Sequence, residues 1–70
     1  MLMELSARNQ LKGMVTAVHK DGLMAEVLVD VGGQELVSVI TRRSAERLGL
    51  AAGQPILVVI KSTEVLLAKE

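Results

Sequence analysis

The chain has 70 residues, half of them hydrophobic, with eight acidic and eight basic side chains. It contains no cysteine and only one histidine, which excludes disulfides, thiolate metal sites and a histidine cluster for zinc. The zero net charge and the absence of aromatic residues argue against nucleic-acid binding, because DNA- and RNA-binding proteins use basic surfaces and aromatic stacking.

The N-terminal half of the chain has the alternating hydrophobic pattern of β-strands. Residues 2–5 and 11–20 are predicted strands, and strict alternation in the second puts residues 11, 13, 15, 17 and 19 on one face. Met24–Val31 and residues 35–40 are the next two strands, and alternate residues from Ala25 to Val31 are expected to face inward. Glycine-containing turns at 20–22 and 32–33 join these strands as hairpins.

A short helix and two more strands complete the pattern. Thr41 is placed to cap a helix over Arg42–Leu48, and Gly49 is placed to end it. Residues 56–60 form a continuous apolar run, typical of a strand covered on both faces, and residues 63–68 are a predicted final strand. We expect one all-β domain over residues 1–70 with one short helix, a small OB-like β-barrel, and a sandwich of exchanged hairpins fits nearly as well.

The chain is too small to hide its own apolar surface. A domain of this size buries only about 60% of the surface that its unfolded chain exposes. Because disulfides and zinc are excluded as reinforcement, we expect a homo-oligomer whose interfaces extend the core.

No apolar run is long enough for a membrane span, and the first five residues do not form a signal peptide. A cytoplasmic location without a membrane partner is therefore expected.

Two short polar segments near opposite ends of the chain indicate the function. They are Ser6-Ala7-Arg8-Asn9 and Lys61-Ser62-Thr63-Glu64. Each combines a hydroxyl group with a cation beside a predicted strand, which is the donor chemistry of an oxyanion site. From spacing alone, a polar turn and a solvated strand end stay open as simpler interpretations. If the fold brings the two segments together, within one chain or across a subunit boundary, they would hold a small tetrahedral anion.

The rest of the chain offers no catalytic set. His19 is the only histidine, is expected on a strand, and has no serine and aspartate arranged around it as a triad. Phosphate-binding loops of the GxxxxGK type are absent. The helix carries a basic face that we expect to be solvated and paired with Glu46; its cations are Arg42, Arg43 and Arg47. We therefore expect a binding protein and not an enzyme.

The octapeptide at residues 6–13, Ser-Ala-Arg-Asn-Gln-Leu-Lys-Gly, resembles the opening motif of the molbindins, small molybdate-binding proteins whose domain is called Mop or TOBE. The likeness continues through Gly22, the helix end at residues 45–50, Gly53 and residues 60–65, so it covers nearly the whole chain. It implies an OB-like β-barrel assembled by strand exchange into a homohexamer, a trimer of dimers. It also implies molybdate or tungstate bound at subunit interfaces, with no organic cofactor.

The resemblance further implies which residues bind the oxyanion. They are Ser6, Ala7 and Arg8 from the first segment and Lys61 and Ser62 from the second, with Asn9 a weaker match and Thr63 following in the second segment. We expect the first segment of one subunit to face the second segment of another. No side chain is expected to bind the metal atom directly, because molybdate is a tetrahedral dianion that needs only hydrogen-bond donors. His19 and Lys20 are candidates for a second class of site near the three-fold axis.

Other functions stay open at this point. Residues 47–54 resemble a helix–glycine–strand segment of small dimeric AbrB-like DNA-binding modules, although the neutral charge argues against that function. An accessory domain that senses molybdate in a transporter ATPase or regulator is a second alternative. Met1, five residues before the motif, favours a free-standing protein. A purely structural oligomer without a ligand is the third alternative.

Overall fold

The computed structural model describes residues 7–70, which form a four-stranded antiparallel sheet with one short helix. The elements are β1 (Asn9–Asp21), β2 (Met24–Val31), β3 (Gln34–Thr41), α1 (Arg42–Leu48), β4 (Pro55–Ile60) and a 3-10 turn (Ser62–Glu64). In space the strand order is β3-β2-β1-β4, so the two central strands are β1 and β2. The sheet curls into a half-barrel, which confirms the predicted mostly-β class with one short helix.

The predicted strand over residues 63–68 is wrong. After β4 the chain turns through Ser62–Glu64, and the Glu64 N–H donates to the Lys61 carbonyl at 2.9 Å. This turn diverts the chain from the direction of β4, and residues 65–70 pair with no strand in the described part of the chain. The other terminal strand, predicted over residues 2–5, lies outside the described residues.

A β-bulge interrupts the alternation of β1. Val15 is opposite Val29 whereas Ala17 is opposite Leu28, so Thr16 is an extra residue in the ladder. Before the bulge Val15 faces the core, and after it Val18 packs against the same core. The prediction that these two valines lie on opposite faces is therefore wrong, because a single inserted residue exchanges the faces of everything beyond it.

The core lies on one face of the curled sheet. Its buried centre is Val15, Val27 and Val29, surrounded by partly buried side chains from β1, β2, β3, β4 and the segment after the helix. The inward alternation predicted for β2 is thereby confirmed. Gly13 lies tightly against β2, since a Cβ there would be 2.7 Å from Val29 Cγ1 and 2.8 Å from the Asp30 carbonyl oxygen.

Local capping defines both ends of α1, as predicted. The Ser44 N–H donates to the Thr41 hydroxyl at 3.1 Å, which caps the first turn. Gly49 has a φ of 63°, and the Leu50 N–H donates to the Ala45 carbonyl at 3.1 Å, the pattern of a Schellman motif. Leu50 then packs against the core and directs the chain towards β4. Within residues 7–70, no helix has the length and apolar character needed to cross a bilayer.

Candidate functional site

Strands β1 and β4 bring the two polar segments to the same end of the sheet. The strands are antiparallel neighbours, and Asn9 is opposite Ile60 at the end of their ladder. Arg8 directly precedes Asn9, and Lys61 directly follows Ile60. Because neighbouring strands lie about 4.8 Å apart, the two segments are neighbours within one chain. We call residues 7–9 and 61–63 together the polar rim.

Every predicted residue of this site is described except Ser6, which lies outside the described residues. In the polar rim, Ala7 and Asn9 are half-buried. The other four residues are exposed, namely Arg8, Lys61, Ser62 and Thr63. The polar rim of a single chain is therefore open to water.

The turn after β4 presents hydrogen-bond donors. Lys61 is extended, with φ −64° and ψ 136°, and leads into the 3-10 turn Ser62–Glu64. The first N–H groups of such a turn have no partner inside it. Among residues 7–70, the hydroxyl groups of Ser62 and Thr63 also take part in no hydrogen bond. Hydroxyl and backbone N–H groups of this turn are thus available to acceptor oxygens.

The polar rim holds two cations, Arg8 and Lys61, at the same end of the sheet. The ion pairs found among residues 7–70 both involve Glu46, and neither includes Arg8 or Lys61. The β1–β4 ladder ends at Asn9 and Ile60, so Arg8 and Lys61 each lie one residue beyond the same end of it. Like charges near each other repel, and an anion between them would replace that repulsion with two attractions. The arrangement is therefore suited to binding an anion with several acceptor oxygens.

The candidates for a second site lie at the other end of β1. His19 is ten residues beyond Asn9 in the strand, a distance of about 30 Å along it. His19 is opposite Glu26, and the Lys20 Nζ is 3.7 Å from Glu46 Oε2. The structure does not bring these two residues to the polar rim, so any site that they form is a separate one.

The basic face of α1 is exposed, as predicted. Arg42 Nε lies 3.6 Å from Glu46 Oε2, one helical turn away, which confirms the expected pairing. Within the described part of the chain, no three histidine, aspartate or glutamate side chains are grouped to hold a metal ion. The chemistry that the described residues offer at the polar rim is hydrogen bonding and positive charge.

One residue beside the polar rim was not singled out from the sequence. Gln10 Nε2 donates to the Ala7 carbonyl at 3.1 Å. The sequence carries no specific signal for this bond; Gln10 simply lies three residues after Ala7 in the chain.

Known proteins resemble this chain along nearly its whole length. The family model of the TOBE domain matches residues 5–67. Molybdenum-pterin-binding protein 3 of Clostridium pasteurianum is 47% identical over 66 residues, which cover 93% of this chain and 97% of that protein. A molybdate-binding protein from Sporomusa ovata superimposes with a TM-score of 0.92 at 36% identity, covering 96% of this chain and 100% of that chain.

A third similar protein was solved with its ligand. The cytoplasmic molybdate-binding protein ModG, with molybdate bound, gives a TM-score of 0.82 at 43% identity. This match covers 86% of the chain described here and 43% of the ModG chain. Because the family model spans residues 5–67 and a relative is 47% identical over almost its full length, the resemblance seen in the octapeptide is confirmed and this chain belongs to the TOBE domain family.

Proposed function

We propose that this protein binds molybdate or tungstate as a tetrahedral oxyanion at the polar rim. The observation that carries this proposal is that the pairing of β1 with β4 brings Arg8 to the same end of the sheet as Lys61 and the hydroxyl groups of Ser62 and Thr63. Similar proteins are named for binding molybdate, and ModG was solved with molybdate bound. The proposed binding residues are Ser6, Ala7, Arg8, Asn9, Lys61, Ser62 and Thr63.

The donor set suits an oxyanion and requires no bond between a side chain and the metal atom. Charged hydrogen bonds from Arg8 and Lys61 would offset the cost of removing water from a dianion. Hydroxyl and N–H donors of the turn at Ser62 would satisfy further oxygens. Sulfate has the same charge and shape but is smaller, so selectivity against it would come from the size of the cavity. No organic cofactor enters this proposal.

We further propose that subunits assemble over the polar rim. Leu66 and Leu67 are 92% and 93% exposed, and Val39 is 61% exposed, an apolar surface that a partner subunit would cover. The proposed assembly is a strand-exchanged homohexamer, a trimer of dimers. In it the first segment of one subunit would also face the second segment of another, in addition to their neighbouring positions within each chain. Such an interface would exclude water from the open rim and strengthen its electrostatic interactions.

The proposed cellular role is storage and homeostasis of molybdenum in the cytoplasm by a single domain without catalytic activity. The location is supported by the similarity to ModG, which is a cytoplasmic protein. We keep His19 and Lys20 as the proposed second site, separate from the polar rim. The DNA-binding alternative is not favoured, since Molybdenum-pterin-binding protein 3, which matches 93% of this chain, is named for binding molybdenum-pterin and the net charge is zero.

Calorimetry with molybdate, tungstate and sulfate in parallel tests the function. We expect saturable binding of molybdate and tungstate and much weaker binding of sulfate. Equal responses to all three anions, or no response, would overturn the proposal of a selective oxyanion site. A salt-sensitive mobility shift with DNA would instead support the alternative function.

Light scattering after size exclusion tests the assembly. Six copies of the 7.5 kDa chain give about 45 kDa. A monomer or a dimer would contradict the hexamer but would leave the calorimetric result unaffected.

A further inference from the structure

Gln10 makes an unusual contact beside the polar rim. Among residues 7–70, only two side chains donate a hydrogen bond to a backbone carbonyl. Gln10 donates to Ala7 at 3.1 Å, and Thr16 donates to Leu28 at 3.2 Å. The first bond lies next to the proposed binding residues, whereas the second lies at the bulge of β1.

The peptide bond between Ala7 and Arg8 precedes the β-ladder. The β1–β4 register starts at Asn9, so ladder pairing does not extend to this peptide. In a trans peptide the carbonyl of one residue and the N–H of the next point in opposite directions. The bond from Gln10 to the Ala7 carbonyl therefore determines the direction of the Arg8 N–H as well.

This orientation matters for an anion site. A carbonyl oxygen turned towards the anion would repel it, whereas an N–H group in that position would donate a hydrogen bond. Preorganising the peptide lowers the ordering cost that binding would otherwise carry. Because Gln10 is exposed, its hydrogen bond competes with water and contributes little to the stability of the fold itself.

We propose that Gln10 is a positioning residue of the oxyanion site, which holds the Ala7 carbonyl away from the anion and presents the Arg8 N–H to it. This inference rests on the proposed function and assigns a role to a residue outside the set of proposed anion ligands. The anion whose binding Gln10 would assist is the tetrahedral dianion proposed at the polar rim.

Three variants test the proposal by calorimetric titration with sodium molybdate. Gln10→Met keeps the length of the side chain but removes the donor, and we expect the Kd to rise about fivefold. Gln10→Glu should raise the Kd further, since its carboxylate repels both the Ala7 carbonyl and the dianion. Thr16→Val removes the other bond of this kind from the same strand and should leave the Kd unchanged.

Two measurements on the ligand-free protein separate positioning from simple stabilisation. We expect the NMR order parameter of the Arg8 backbone N–H to fall in Gln10→Met and to stay unchanged in Thr16→Val. A lower denaturation midpoint for Gln10→Met with an unchanged Kd would mean that Gln10 only stabilises the fold, and would overturn the proposal.

The failure of this proposal is distinguishable from the failure of the proposed function. If the wild-type protein does not bind molybdate, the function is wrong and the binding role of Gln10 falls with it. If the wild type binds molybdate and Gln10→Met binds it equally well, the function stands and only the role of Gln10 is wrong.

Discussion

Replacing Arg8 with alanine removes one of the two cations of the polar rim that have no ion-pair partner among residues 7–70. Two unit charges about 4 Å apart interact by about 1 kcal/mol in bulk water, so we expect Arg8 at that distance to contribute about 2 kcal/mol to binding a dianion. This loss corresponds to about a 30-fold rise in Kd, because about 1.4 kcal/mol is a factor of ten. The water value applies because Arg8 is exposed, and a subunit that covers the rim would increase the loss.

The assay is calorimetric titration of molybdate into matched variants at about 0.1 M salt, where the Debye length is about 10 Å. Arg43→Ala is the control, since it also removes an exposed cation, but from α1, outside the polar rim. Arg8→Lys should bind with an intermediate Kd, because lysine keeps the charge but lacks the planar donor fork. At about 1 M salt the difference between wild type and Arg8→Ala should shrink.

Two results would refute this reasoning. The first is an Arg8→Ala protein that binds molybdate as tightly as the wild type. The second is an equal loss of affinity in Arg43→Ala, because the effect would then arise from the net charge of the molecule and not from the position of Arg8.

Three further substitutions test the polar rim and the sheet that supports it. Ser62→Ala should weaken molybdate binding about fivefold by removing a hydroxyl donor, with an unchanged mass by light scattering; an unchanged Kd would remove Ser62 from the site. Gly13→Ala should lower the free energy of unfolding by about 1–3 kcal/mol, measured in urea at fixed protein concentration, because the new Cβ would meet Val29 Cγ1 at 2.7 Å. Equal stability would show that β1 and β2 separate at little cost. Gly49→Ala should cost about 1–2 kcal/mol of stability because its φ is 63°, and a circular-dichroism melt with an unchanged midpoint would contradict this.

Local sequence patterns were sufficient to predict the features of the fold that depend only on residues close together in the chain. The turn at residues 32–33, the cap at Thr41 and the helix end at Gly49 follow from short-range chemistry, and the structure confirms them. The first hairpin turn also forms, but at residues 22–23 and not at 20–22, because Lys20 and Asp21 still pair with β2. The bulge at Thr16 does not follow from such patterns, because it depends on a long-range contact. Val15 bonds the loop before β4, donating to the Gln54 carbonyl at 2.9 Å and accepting from the Gly53 N–H at 2.8 Å. The alternation of hydrophobic and polar residues along β1 does not predict a bonding partner almost 40 residues away in the chain.

The prediction of a final strand over residues 63–68 was wrong because strand pairing also depends on long-range contacts. Residues 63–68 have strand-like composition, but a strand requires an edge with which to pair. The bond from the Glu64 N–H to the Lys61 carbonyl turns the chain before such an edge is reached within the described residues. Composition indicates which segments are able to form strands, whereas pairing depends on the arrangement of the whole sheet.

The amino-acid sequence established which chemistry the molecule contains. Its composition excludes thiolate and zinc-histidine sites, and the two polar segments indicate donors for an anion. The folded sheet brings those segments together: β4 pairs beside β1, so Arg8 and Lys61, more than 50 residues apart in the chain, each lie one residue beyond the same end of that ladder. The two strands become neighbours because apolar faces that are remote in sequence pack together. The spacing of residues along the chain does not predict this pairing. The hydrogen bond from Gln10 to the Ala7 carbonyl is also a feature that only the folded structure decides, because a hydrogen bond depends on the direction of two groups as well as on their identity.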